Sequence, residues 1–146
     1  MNIYKRVYLN KCKVGKFYKE YIAILEGNLE TEEGTINAPI IRKPGSIIER
    51  CIDKNGAKSI TYYSLIKSKN NLSLVKFILE TGRTHQIRLH SKYIGHPILG
   101  DSLYGKESSL IKRQALHCHK IAFIHPITNK KVEFISKIPK DMQIII

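Results

Sequence analysis

The stretch Leu79–Gly105, "LETGRTHQIRLHSKYIGHPILGDSLYG", gathers two arginines, three histidines and a glutamine between an apolar run and two glycine-rich turns. The run before it, Leu72–Leu79 "LSLVKFIL", is apolar on nearly both faces, as an interior strand would be. After Thr81-Gly82 the period changes. Thr84 is placed to cap a helix over about His85–Ile94, and Gly95 is its stop signal. Within that helix Leu89 and Tyr93 share a stripe. A strand leading into His-Gln-x-Arg sets cationic forks and an amide beside a helix N-terminus, a setting that suits phosphates or a carboxylate. Arg83 and Arg88 could equally tie loops together by donating to carbonyls. The residues leave both readings open.

Working outward, Tyr18–Glu26 "YKEYIAILE" reads as a strand ending at Gly27, with Tyr21, Ala23 and Leu25 on one face. Short strands are expected at Thr35–Ile40, Ser46–Ile52 and Ser59–Ile66, the last two separated by the turn "DKNG" at Asp53–Gly56. Two more, Ile121–Ile124 and Lys131–Ile135, flank "HPITNK". Many strands with one or two helices, no repeat and no linker predict a single α+β domain over residues 1–146, on a mainly antiparallel, mixed sheet.

The chain has 146 residues and a net charge of +13, from 25 Lys+Arg against 12 Asp+Glu. The surplus is positive everywhere except residues 21–60, where Glu26, Glu30, Glu32 and Glu33 cluster in a stretch that reads as a solvated loop. Such a field concentrates polyanions, nucleic acid first among them, although an ordinary basic surface would also keep a protein in solution. Cys12, Cys51 and Cys118 are odd in number and form no CxxC pair, which points to a reduced compartment. With no leader-like start and no apolar run near the bilayer length, the chain reads as cytoplasmic, without a membrane partner.

Other chemistries find little support. In "LHCHK", only His117 and His119 would share a strand face, and no second ligand pair has zinc spacing, so no metal is expected. Gly95, Gly100 and Gly105 lack a GK[ST] or GxGxxG context and read as turn formers. There is no GxSxG elbow. Asp101 lies in a turn, where bonding to nearby backbone amides is its ordinary role.

The spacing of "TGRTHQIRLH" followed by "GHPILGDSLYG" resembles the central motif of RluA-type RNA pseudouridine synthases. "KEYIAILEG" (Lys19–Gly27) resembles that family's Lys-x-Tyr-x-Ala segment, "AKSITYYSLI" its strand before the arginine motif, and "LHCHKIAFIHPIT" (Leu116–Thr128) its Leu-His…Phe-x-His-Pro ending. The match runs from about Lys16 to Pro139. The resemblance implies a pseudouridine synthase-like fold that isomerises uridine in ribosomal or transfer RNA without a cofactor. It assigns contact with the flipped base to Tyr21, pairing with the catalytic aspartate to Arg88, and RNA contacts to Arg83, His85 and Gln86.

One part of the pattern is missing. The family's aspartate stands in His-Arg-Leu-Asp-x-x-Thr-Ser-Gly, ahead of the Lys-x-Tyr-x-Ala segment. Here the aspartates are Asp53, Asp101 and Asp141, all downstream of Tyr21. The expectation is an incomplete catalytic domain, inactive alone, whose aspartate comes from a missing N-terminal segment or a complementing chain. An uncovered sheet edge and self-association would follow. The rivals are a non-catalytic RNA-binding module on the same fold and a basic structural protein of a ribonucleoprotein.

Overall fold

The computed structural model describes residues 2–146. The first helix, α1 (Ile3–Lys11), begins at Asn2, whose Oδ1 accepts from the Tyr4 and Lys5 amides. It has no counterpart among the sequence expectations. Its charged residues blur the apolar period, and only Val7 is fully buried, against Tyr18, Tyr62, Ile78 and Ala122.

After α1 come β1 (Tyr18–Glu26), β2 (Glu33–Asn37), β3 (Ile40–Arg42), β4 (Arg50–Ile52), β5 (Ile60–Lys69) and β6 (Leu72–Leu79). Helix α2 (Gln86–Tyr93) is followed by β7 (Leu116–Ile124), β8 (Lys131–Ile135) and the single turn of α3 (Lys140–Gln143). Six strands form one sheet in the order β2-β5-β6-β1-β7-β8, and β3 and β4 form a separate pair. Each pairing is antiparallel, so the mixed element of the expected sheet is not seen among the described residues.

β1, β6 and β8 match their expected bounds. β6 does lie inside the sheet, and its neighbour β1 buries Ile22, Ala23, Ile24 and Leu25 in succession, on both faces. The expected strand Thr35–Ile40 splits into β2 and β3 around Ala38-Pro39, where proline has no amide to give a ladder. The expected strand Ser46–Ile52 shrinks to β4, because the Pro44-Gly45 turn continues to Glu49, whose carbonyl accepts from the Lys43 amide. β5 runs further than expected, to a tight hairpin at Asn70 and Asn71 with φ of 52° and 58°. Both residues are left-handed, as in the type I′ turns that suit strand twist.

Helix α2 carries the polar cluster. Thr84 does not cap it. The capping position is His85, at φ 58° and with no side-chain capping bond. Gly95, at φ 85°, ends it as expected, where the Gly95 and His96 amides donate to Lys92 and Ser91. Two buried side chains fasten the helix to the sheet. His90 bonds the Thr61 hydroxyl at 2.8 Å and the Ala38 carbonyl at 2.9 Å, while Ile87 enters the main core. Tyr93, expected on the same stripe as Leu89, is instead exposed.

Candidate active site

Tyr21, Arg83, His85, Gln86 and Arg88 all line one cleft of about 340 Å³, at the meeting of β1, the end of β6 and the start of α2. The sequence spacing and the fold therefore converge on one place. What each side chain offers there differs.

Tyr21 sits where β1 and β7 lose register after Glu20, opposite Cys118. It is half-buried, and its hydroxyl meets the Cys118 thiol. Burial, then Cys118, raises its pKa above the ordinary tyrosine value, so it is a neutral O–H donor at physiological pH. Tyr21 lines the cleft.

Gln86 is 2% exposed and its amide is fully used. Its Oε1 accepts from the Thr81 hydroxyl and the Arg83 amide, both at 2.9 Å. Its Nε2 donates to the Ile60 carbonyl at 3.0 Å and to Thr61 Oγ1 at 2.9 Å. Gln86 therefore holds the strand-to-helix turn in shape and has no free group for RNA. Its partners on β5 lie far away in sequence, so spacing could not reveal this.

Arg88 also has a partner within the chain. Its Nε and Nη2 each donate to Asp101 at 2.8 Å, one to each carboxylate oxygen. Asp101 is fully buried and keeps its expected turn role as well, accepting from the Leu103 and Tyr104 amides at 3.1 Å. Burial is the largest single influence on this carboxyl and pushes its pKa up. The Arg88 and amide bonds together outweigh it and leave the pKa below the ordinary value. The expected pairing of Arg88 with an aspartate outside the chain thus meets an arginine already engaged by Asp101.

Arg83 is the exposed arginine. Its Nε donates to the Lys58 carbonyl at 3.1 Å, and no carboxylate of the described residues pairs with it. His85 is fixed by Tyr104, whose hydroxyl shares a 2.8 Å hydrogen bond with Nδ1 and accepts from the Arg50 amide. Burial, then Arg88 and Arg50, lowers the His85 pKa, keeping the ring neutral at physiological pH. Tyr104, under the Arg88 guanidinium at 5.1 Å from ring centre, joins His85 and Arg88 and was not anticipated from the sequence.

No aspartate lines the cleft among the described residues. Asp53 accepts from the Asn55 amide within its turn, and Asp141 pairs with Arg113. His117 and His119 both donate to the Ser136 carbonyl, and the described residues contain no group of three or more metal-ligating side chains. None of their helices is long and apolar enough to cross a membrane.

Known proteins extend this picture. A family described as RNA pseudouridylate synthase matches residues 6–93. An uncharacterized RNA pseudouridine synthase of Bacillus subtilis, YjbO, is 43% identical over 134 residues, covering 92% of this chain and 47% of its own length. The ribosomal large subunit pseudouridine synthase D of Zymomonas mobilis is 38% identical, with 87% of this chain and 43% of its own length covered. The chain thus spans under half the length of these relatives. Among solved structures, human RNA pseudouridylate synthase domain containing 1 superposes with a TM-score of 0.74 at 26% identity, over 92% of this chain and 58% of the human one. With the family match extending over most of the chain and the same fold in a solved relative, the chain belongs to the RNA pseudouridylate synthases, within the RluA-type family.

Proposed function

We propose that this chain takes part in the isomerisation of uridine to pseudouridine in RNA and supplies one wall of the catalytic cleft. The reaction breaks the C–N glycosidic bond, turns the base and rejoins the sugar to C5, whose proton is lost. The observation that carries the reading is that Tyr21 and Arg83 line one cleft, in which no aspartate stands among the described residues. A neutral tyrosine can stack on a flipped base and donate a proton. An unpaired guanidinium can keep an incoming carboxylate ionised or grip a phosphate.

The carboxylate comes from outside these residues, from another segment or a second chain. It meets Arg83 rather than Arg88, whose charge is already balanced by Asp101 through Nε and Nη2. Gln86 and Arg88 build the cleft, and His85 presents a neutral ring to the RNA. Ribosomal RNA is the proposed substrate, in line with the name of the Zymomonas relative. No cofactor is needed, since bond cleavage and re-formation balance within the uridine.

A second reading, a non-catalytic RNA-binding module, is favoured by the engagement of Arg88 with Asp101 inside the chain. Both readings require RNA in the cleft. Equilibrium binding of single-stranded, uridine-rich RNA tests this: Tyr21→Ala and Arg83→Gln should each weaken it. Unchanged affinity in both variants would remove the cleft from the RNA site.

A further inference from the structure

Beside the cleft lies a second hollow of about 370 Å³, which shares Tyr21, Leu79 and Arg83 with it and continues toward the start of β1. Its wall carries Lys11, Lys16, Lys19 and Arg83, and none of these four has a carboxylate partner among the described residues. Among the described residues, the one acidic side chain on the wall is Glu80. Its carboxylate is already occupied, accepting from the Tyr62 hydroxyl at 3.1 Å and lying 3.5 Å from the Arg6 guanidinium. The groove is therefore a strip of unpaired positive charge.

At its rim stands Phe17, 52% exposed. Its ring lies 5.1 Å from that of Phe123, and Phe123 stacks in turn on Phe134 at 6.3 Å. Phe134 is itself 59% exposed. Exposed aromatic rings beside unpaired lysines combine two things a single-stranded nucleic acid needs, a π-face for bases and cations for the backbone. A duplex, with its bases already stacked, could use only the lysines.

We propose that this groove binds the single-stranded RNA next to the target uridine, with Lys16 and Lys19 on phosphates and Phe17 as the platform for a neighbouring base. The proposal rests on the cleft reading above, because the groove matters to the reaction only if the uridine enters beside Tyr21. Charge complementarity and continuity with the cleft identify RNA as the occupant. The competing occupant of the exposed rings is a protein surface.

The test is the salt dependence of binding to a single-stranded oligouridylate of about twelve nucleotides, with an RNA duplex as control. Lys16→Gln/Lys19→Gln should reduce the slope of log affinity against log salt by about 1.4, two phosphate contacts at roughly 0.7 each. Phe17→Ala should weaken single-strand binding about tenfold, the scale of one stacked base, while leaving the slope and duplex binding unchanged. Phe17→Tyr should restore the affinity and so separates stacking from a folding defect. Unaltered slope and affinity in these variants, with Tyr21→Ala still weakening binding, would overturn the groove and leave the cleft standing. Unaltered binding in Tyr21→Ala and Arg83→Gln as well would overturn both. Loss of self-association in Phe17→Ala, measured by sedimentation, with RNA affinity intact would assign the rings to a protein interface and overturn the proposal.

Discussion

Arg88 and Asp101 form a two-armed ion pair across 13 residues of sequence, with 2.8 Å on each arm and the carboxylate fully buried. The pair joins α2 to the loop after Gly100, where the backbone passes so close to Arg113 that an added Cβ would collide with its carbonyl oxygen. Tyr104 follows in the same loop and holds His85. The geometry of the cleft's α2 wall therefore depends on an aspartate that never faces the cleft.

Asp101→Asn should cost about 3 kcal/mol at neutral pH, because it leaves a largely buried guanidinium without its counter-charge. The pH dependence follows from the lowered folded-state pKa. The contribution is fully present above the unfolded value of about 3.9 and is lost as pH falls through the folded value. Urea melts should show the gap between wild type and Asp101→Asn closing below about pH 4. A gap constant from pH 7 down to pH 2 would mean that the ion pair does not set the difference.

The two arginines should separate cleanly. Arg83→Gln should leave thermal stability within about 0.5 kcal/mol of the parent, as exposed substitutions do, and weaken RNA binding. Arg88→Gln should lower stability by about 3 kcal/mol through the stranded Asp101 carboxylate. Arg88→Lys should recover only part, lacking the planar fork. Paired melts and binding curves read both effects.

Gln86→Leu should be a folding variant. It abandons the Thr81, Arg83, Ile60 and Thr61 partners, and a loss of about 2 kcal/mol is expected from the buried groups left unpaired. RNA affinity measured well below the melting temperature should stay near the parent value. A tenfold loss of affinity at unchanged stability would give Gln86 a direct RNA contact.

Tyr21 has two separable contributions. If its ring stacks on the base, Tyr21→Ala should lose about 1–3 kcal/mol of binding and Tyr21→Phe little. If its raised-pKa hydroxyl moves a proton, Tyr21→Phe should bind RNA normally and fail in turnover once a catalytic carboxylate is supplied.

The strands were legible where the pattern was strong. "LSLVKFIL" and "YKEYIAILE" each combine an apolar run with a clear stop, and their bounds held. Helix α1 was not, since Val7 is its one fully buried side chain and charged residues surround it. α3 is a single turn and has no period to detect. The polar cluster was legible as a location because its residues are close in sequence. The engagements of Gln86 and Arg88 were not, because they are decided by Ile60, Thr61 and Asp101, which only the fold brings near.

The cleft is proposed to belong to a uridine isomerase and to take its carboxylate from outside the described residues. Since the new bond forms at C5, RNA tritiated at uridine C5 releases its label only when pseudouridine is made. Release should be measured with this chain alone and with the chain joined at its N-terminal side to a segment bearing the RluA-type family's His-Arg-Leu-Asp-x-x-Thr-Ser-Gly motif. No release is expected from the chain alone, and release is expected from the joined protein and abolished by Tyr21→Ala. Release from the chain alone, or none from a folded joined protein, would contradict an outside carboxylate acting in this cleft.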